Sequence, residues 1–346
     1  MTKAIPSPSQ RLLLVSVPRT ASNLLLKVLN IPEQPHLHVN PKGGYFFFDA
    51  FTATAQSNLL TTPPSDWSSA TVQHVQSTFQ ACLDALEAFS QEADAQGKAA
   101  FAKEHAFWIA DPLSFHNQGD SSGELKENIR VTLPDAYGPT TTFSPGNDTI
   151  FPDEYLLTWR LAFIIRHPAL AFPSFYRAML KFSDTGYMID KEETLRGTLA
   201  TNMSLRWTKG LVEWCVRMRP GEPVLLLDAH DLIHEPATVR RFCQLAGLEE
   251  SVVKFEWGAD EQQKKMAEAE LTQEQRDYNA ARKIMLATLE GSSGVLKEKT
   301  PAMVDIEAEV AKWKVEFGDE VAGMLERAVR EAMPDYEFLR ARRMTA

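Results

Sequence analysis

The sequence predicts an α/β protein with a doubly wound parallel sheet flanked by helices. Four short segments have the length and the bounding turns of strands; they are Leu12–Val17, Lys103–Ala110, Arg160–Ile165 and Pro223–Leu227. The first is rich in branched apolar residues, as is usual for a strand buried on both faces. Segments with helical spacing alternate with these runs, and that alternation is typical of a parallel sheet.

The first predicted strand is the element around which we expect the chain to be organised. Pro18 ends it, small and capping residues follow, and the apolar spacing from Leu24 to Leu29 predicts a helix. The start of such a helix can bind phosphate or sulfate through its N–H groups and dipole. The same pattern also occurs in ordinary strand–helix units, so both interpretations stay open at this point.

The other predicted elements complete one domain. Helical patterns cover Thr71 to about Gly97, Ala169–Lys181, Glu192 to about Met218, Pro236–Leu245, most of Glu261–Glu290, and Ile306–Ala332. Between them, Ser114–Asp153 is a candidate lid with a short strand predicted at Ile129–Leu133. We expect a single domain over residues 1–346, with the sheet and its helices in about 11–247 and a helical C-terminal extension in 248–346.

The composition narrows the class of protein. A formal charge of −10 and a pI near 5.4 argue against a general nucleic-acid or anionic-membrane surface. Cys82, Cys215 and Cys243 have no paired spacing, which favours a reducing compartment. Since no apolar run approaches the ~20 residues of a membrane span, we expect a cytoplasmic protein with neither nucleic-acid nor membrane partners.

Two local patterns have alternative interpretations. The aromatic run at 43–51 could line an apolar acceptor pocket or pack as core beneath a loop, and the two are equally weighted. His36 and His38 form a His-x-His pair, but no cysteine or carboxylate cluster accompanies them. An ordinary loop pair is therefore favoured over a metal site.

Four motifs, taken together, resemble the sulfotransferases that use 3′-phosphoadenosine 5′-phosphosulfate (PAPS) as donor. The loop Pro18–Leu24 is similar to that family's phosphosulfate loop after the first strand. Lys103 and His105 are similar to its Lys-x-His motif, and Arg166 with Ser174 reproduces its Arg and Ser eight residues apart. The segment Val224–Gly247 is similar to its strand, acidic turn and helix, so the resemblance runs from residue 11 to about residue 247.

The resemblance implies a P-loop-like fold, PAPS as donor without a metal, and a role for each matching residue. Arg166 and Ser174 would hold the donor's 3′-phosphate, and His105 would take the acceptor's proton, with Lys103 neutralising charge. The phosphosulfate would be bound by Arg19, Thr20, Ala21, Ser22, Asn23 and Leu24, of which Arg19 would also act in catalysis.

Chemistry read from the residues agrees with these implied roles. Sulfuryl transfer needs positioning and charge neutralisation more than covalent participation. Histidine, with an unperturbed pKa of ~6.5, suits proton removal near neutral pH. Trp207 could stack on the donor's adenine or belong to the core. The aromatic run suggests a small, partly apolar acceptor, while the oligomeric state is not readable.

Two departures from the family pattern keep other classes open. Ala21 stands where the family has a glycine, so a positive φ there would be strained, and Asn23 replaces a threonine. The alternative is a protein of the same fold that no longer transfers sulfate, either a binding protein or an acid/base enzyme of small-molecule metabolism. A nucleotide kinase is disfavoured, because the chain has no Gly-x4-Gly-Lys-Ser/Thr run. Which C-terminal basic residue would contact the donor is open.

Overall fold

The computed structural model describes residues 11–40, 43–116, 129–183, 192–258, 283–286 and 289–346. Its five strands are β1 Arg11–Ser16, β2 Leu37–Val39, β3 Ala99–His105, β4 Arg160–Ile165 and β5 Leu225–Asp228. Its helices, numbered for this article, are α1 Ser22–Val28, α2 Phe48–Gln56, α3 Ser69–Ala95, α4 Asp153–Leu156, α5 Pro168–Ser183, α6 Glu192–Asn202, α7 Arg206–Met218, α8 Ala229–His234, α9 Pro236–Ala246, α10 Ile306–Phe317 and α11 Asp319–Arg340.

The strands form one parallel sheet in the order β2-β3-β1-β4-β5, which confirms the predicted fold class. Strand β1 is central, and all six of its residues are buried. Its last residue, Ser16, pairs in register with His105 of β3, while Val15 pairs with Phe163 of β4. The carboxyl ends of β1, β3 and β4 therefore meet at one edge of the sheet.

Helices cover both faces of the sheet. Side chains alternate along β1, so that Leu13 and Val15 pack in the core with α2, α3 and α7. Leu12 and Leu14 pack on the other face with α1 and α9. A third apolar cluster joins α5, α6, α10 and α11 around the buried Trp313. No helix among the described residues is long and apolar enough to cross a membrane.

The predicted bounds of β3 are wrong by several residues. The strand begins at Ala99 and ends at His105, and a 3₁₀ turn at Ala106–Trp108 follows it. Three of the strand's first four residues are alanines, which have low strand propensity and gave no sequence signal. The aromatic residues after His105 are buried, so the sequence there has the apolar pattern of a strand although the backbone forms a turn.

The short strand predicted at Ile129–Leu133 is also wrong. Ile129 and Val131 do pack in the core, but the backbone of Arg130 and Thr132 bonds to helix side chains rather than to another strand. Gln80 of α3 accepts from the N–H of Thr132 (2.8 Å) and donates to its carbonyl (3.1 Å), and Gln76 donates to the carbonyl of Arg130. Alternating burial therefore arose without a sheet partner.

Other elements differ from the prediction in number. The helical region at 192–218 is two helices, and the pattern at 306–332 is also two, of which the second extends to Arg340. Strand β2 and helix α2 had no predicted counterpart. Most of the helical pattern at 261–290 lies outside the described residues.

Candidate active site

The loop from Val17 to Ala21 connects β1 to α1 at the carboxyl edge of the sheet. Two of its residues, Arg19 and Ala21, have φ of +66°, in the left-handed region. A side chain there costs roughly 1 kcal/mol or more relative to glycine. Thr20 is fully buried and its hydroxyl donates to the carbonyl of Val17 (2.8 Å), which closes the loop. The loop is thus strained and internally fixed.

One group of predicted residues meets beside this loop. Arg19 donates from Nε to the Ser174 hydroxyl of α5 (2.9 Å) and from Nη1 to the carbonyl of Met285 (2.6 Å). Arg166, just after β4, donates from Nη1 to the carbonyl of Arg19 (3.1 Å). The structure therefore brings together Arg19, Arg166 and Ser174, which are far apart in sequence.

Burial lowers the pKa of both guanidinium groups, and the charge of Arg19 lowers that of Arg166 further. Burial, and then the charge of Arg19, lowers the pKa of Arg166 to about 10, although Asp228 opposes this. Burial also lowers the pKa of Arg19. Because two cations lie close together at a partly buried place, a bound anion would relieve their repulsion.

A second group lies on the β3 side of the loop. Lys103 is fully buried, and its Nζ donates to the Asn23 side-chain oxygen of α1 (2.5 Å). Burial lowers the pKa of Lys103 to about 7, against the opposing effect of Glu104. The Lys103 ammonium also lies 4.7 Å from the ring centre of Tyr45. Asn23 thus accepts a hydrogen bond from Lys103, the lysine that we predicted would neutralise charge in the site.

His105 ends β3 beside Ser16 of β1. Its Nδ1 lies 3.0 Å from the Ser16 hydroxyl, and its Nε2 lies 3.4 Å from the Tyr45 hydroxyl. Burial, and then the charge of Lys103, lowers the pKa of His105 well below its ordinary value. The lowered pKa favours the neutral imidazole at neutral pH, and the role of His105 as the acceptor's base stays a prediction.

Aromatic rings surround His105. Trp108 packs edge-on against its ring at a centroid distance of 4.5 Å, and Phe107 stacks at 5.8 Å. Tyr45 and Phe48 pack on Trp108 at 4.8 and 5.2 Å. Within the aromatic run at 43–51, Phe47 is fully buried in the core, while half-buried Tyr45 faces the histidine. That the run lines an acceptor pocket stays a prediction.

The other predicted site residues pack against the rest of the protein; they are Ser22, Leu24 and Trp207. Ser22 is buried at the start of α1, and Leu24 is a half-buried residue packed against the apolar core on that face of the sheet. Trp207 on α7 contacts Phe115 at 5.3 Å and donates from Nε1 to the Ser114 hydroxyl. Its proposed stacking on adenine stays a prediction.

Three residues of this site were not singled out from sequence: Ser16, Tyr45 and Glu104. Glu104 is buried, and burial raises the pKa of its carboxyl to about 8. Its Oε1 accepts from the N–H groups of Phe46 (2.6 Å) and Phe47 (3.2 Å). A carboxylate between the two predicted residues of a Lys-x-His motif was the available signal.

The geometry defines a class of site. Arginine and lysine cations at the carboxyl edge of a parallel sheet can bind an anion. A neutral histidine beside aromatic rings can accept a proton from an uncharged molecule. Among the described residues, no group of His, Cys, Asp and Glu has the arrangement of a metal site. An α/β protein of this kind is suited to transferring an anionic group to an acceptor.

Comparison with known proteins identifies the family. The chain is 34% identical to Sulfotransferase ppzF of Metarhizium rileyi (strain RCEF 4871) over 354 residues, which covers 99% of this chain and 98% of that protein. It is likewise 34% identical to Sulfotransferase ppzF of Metarhizium majus (strain ARSEF 297), with 96% of each chain covered. No family model and no solved structure matches it. The chain belongs to the sulfotransferase family.

Proposed function

We propose that this sulfotransferase-family protein transfers a sulfuryl group from PAPS to a hydroxyl of a small, partly apolar acceptor. The observation that carries the proposal is the meeting of Arg19, Arg166 and Ser174 on one side of the loop with Lys103 and His105 on the other. The residues proposed to bind an anion and the residue proposed to accept a proton thus lie along the same edge of the sheet.

The residues beside the loop fit the anionic groups of such a donor. Arg166 and Ser174 are proposed to hold the 3′-phosphate, and Arg19 the phosphosulfate, since hydrogen bonds already hold these three residues together beside the loop. The lowered pKa of Arg166 supports this fit, because an anion would stabilise the paired guanidinium charges. When bound, PAPS supplies the activated sulfuryl group.

Lys103 and His105 are proposed to act on the acceptor side of the same loop. Lys103, held by Asn23, neutralises charge that develops on the transferred group's oxygens. His105 is neutral because its pKa is lowered, so it can take a proton from an acceptor hydroxyl without first losing one. The rings of Tyr45, Phe107 and Trp108 favour an acceptor with an apolar body.

A second candidate is a protein of this family that binds but does not transfer. Ala21 favours it, because the left-handed backbone at this position is the one that a glycine would adopt without strain. A loop that carries this strain could hold its ligand differently. Failure to bind 3′-phosphoadenosine 5′-phosphate (PAP), the desulfated donor, would favour this candidate.

The proposal is tested by following radioactive sulfur from PAPS into naphthol and into octanol. We expect transfer by the wild-type protein and a loss of at least about 10²-fold in His105→Ala, as for removal of a general base. His74→Ala, at an exposed position on α3, is the matched control and should retain activity. Transfer to heparin-like glycans alone would overturn the assignment of a small acceptor, and no transfer to any acceptor would overturn the proposal.

A further inference from the structure

The turn at residues 44–47 is fixed to strand β3 by consecutive residues of that strand. The N–H of Lys103 donates to the carbonyl of Gly44 (2.9 Å). The next residue, Glu104, accepts from the N–H groups of Phe46 and Phe47. Because Phe47 precedes α2 and no side chain of its own caps that helix, Glu104 serves as a cap from a distant strand.

Gly44 allows this turn to approach the strand closely. Its φ is +92°, and a Cβ at this position would lie 3.0 Å from the backbone nitrogen of Lys103 and 3.1 Å from its Cβ. Any larger residue would push the turn away from β3. The residue between the two anchored ends of the turn, Tyr45, therefore has little freedom to shift.

Tyr45 is held directly against the predicted base. Its hydroxyl lies 3.4 Å from Nε2 of His105, its ring lies beneath the Lys103 ammonium, and Trp108 packs against it. Lys103 also donates to Asn23 of α1, just after the loop Val17–Ala21. Tyr45 thus contacts the predicted base through its hydroxyl and the lysine that bonds to α1 through its ring.

Ser16 favours the histidine tautomer that makes this contact useful. The Ser16 hydroxyl lies 3.0 Å from Nδ1 of His105 and 3.4 Å from the carbonyl of Glu104. When its single proton goes to that carbonyl, its oxygen accepts from Nδ1–H, and the lone pair of the imidazole is then on Nε2. Nε2 can accept the proton of Tyr45.

We infer that Tyr45 is a further catalytic residue, whose hydroxyl receives the acceptor's proton while passing its own proton to Nε2 of His105. The inference rests on the proposed function. The acceptor O–H bond and the original Tyr45 O–H bond break, and new O–H and N–H bonds form at Tyr45 and His105. The acceptor oxygen uses the released electron pair to bond to sulfur, and the departing phosphate oxygen keeps the pair of the broken S–O bond. Glu104 is the positioning residue for this relay.

The contact is tested first without donor, by nitrogen NMR of protein containing isotope-labelled histidine. In the wild type, the His105 Nε2 resonance should be that of a hydrogen-bonded lone pair. Tyr45→Phe should move it to the position of an unbonded nitrogen. Tyr176→Phe, which removes the same atom from a tyrosine packed on Phe317, should leave it unchanged.

The positioning role is tested with two variants of Glu104. Glu104→Gln retains an oxygen that can accept from Phe46 and Phe47, so the Nε2 resonance should stay near its wild-type position. Glu104→Ala releases the turn, and the resonance should move in the direction of Tyr45→Phe. Identical spectra for the two Glu104 variants would overturn the positioning role.

The catalytic claim is tested by transfer from PAPS to naphthol and octanol. Tyr45→Phe should lower kcat at least about 10²-fold with little change in the acceptor KM, because the relay operates in the transition state. An unmoved Nε2 resonance, or an unchanged kcat, would overturn the relay alone. If the wild type binds PAP but transfers to neither acceptor, the proposed function is wrong and the relay falls with it.

Discussion

The two ends of strand β1 hold buried charge in opposite ways. At its start, Arg11 donates to Glu87 (3.1 Å) and to the Tyr137 hydroxyl (2.7 Å), while Tyr155 also donates to Glu87 (2.8 Å). Burial alone would lower the pKa of Arg11, but Glu87 and the tyrosines raise it. The cation at this end is therefore paired with a buried carboxylate.

Past the other end of the strand, burial outweighs the neighbouring charges that favour the charged forms of the cations. The pKa of Arg166 falls to about 10 and that of Lys103 to about 7, in both cases chiefly through burial. One end of β1 is thus arranged for stability, and the other holds positive charge that a bound anion would stabilise. The comparison separates structural charge from charge available for function.

The largest expected effect is on the free energy of unfolding, and it comes from removing the carboxylate that pairs with Arg11 at the start of β1. Glu87→Ala leaves Arg11 buried without its carboxylate and removes the acceptor of Tyr137 and Tyr155. We expect the free energy of unfolding to fall by about 3–5 kcal/mol, as measured by urea denaturation. Arg166→Met, at the other end, should change it by less than about 1 kcal/mol, because burial and repulsion already oppose that charge. Equal losses would contradict the comparison.

The second prediction concerns how the stability of the protein depends on pH through Lys103 and Glu104, beyond the carboxyl end of β1. Lys103 has a folded pKa of about 7 against an ordinary 10.5, so between these pH values the unfolded chain holds one more proton and stability rises with pH. Glu104 has a raised pKa of about 8 against 4.5, so the folded chain holds the extra proton and stability falls from pH 4.5 to 8. These two groups together place a minimum of stability between pH 7 and 8.

Denaturation at a series of pH values measures this minimum. Lys103→Met should remove the rise above pH 8, which is on the order of 3 kcal/mol by linkage, and Glu104→Gln should remove the fall below it. Lys312→Met, at an exposed position on α10, should retain both limbs. A rise that survives in Lys103→Met would show that Lys103 is not the group responsible.

The smallest predicted effect concerns the strain in the loop Val17–Ala21. Ala21→Gly should stabilise the protein by about 1 kcal/mol, because glycine adopts the left-handed backbone without a steric penalty. Gly247→Ala is the mirror control: its φ is +71° with open space around a Cβ, so it should destabilise by a similar amount. Thermal unfolding of both variants would measure this, and a destabilised Ala21→Gly would contradict the strain.

Sequence alone predicted the parts of the fold that are locally encoded. Strand β4 was predicted with its observed bounds, and the long helix α3 within two residues. Helix α2 escaped prediction because its cap, Glu104, lies 58 residues from Phe46 in the chain. Strand β2 has three residues, which is too few for any periodic pattern.

The site was predictable as a set of residues but not as an electrostatic arrangement. The spacing of Arg166 and Ser174 was readable, whereas the bond from Arg19 to Ser174 depends on the tertiary fold. The pKa values of Lys103 and His105 are set by burial, which a residue pattern does not give. The placement of Tyr45 on His105 likewise required the turn and strand together.

The most direct test of the central claim is a calorimetric titration with PAP. We expect micromolar binding by the wild type, weakened at least about 10²-fold in a variant combining Arg166→Ala and Ser174→Ala, because charge-assisted hydrogen bonds are lost. Arg177→Ala, which removes an exposed guanidinium from the same helix as Ser174, should bind like the wild type. Absence of binding by the wild type, or undiminished binding by the double variant, would contradict the account.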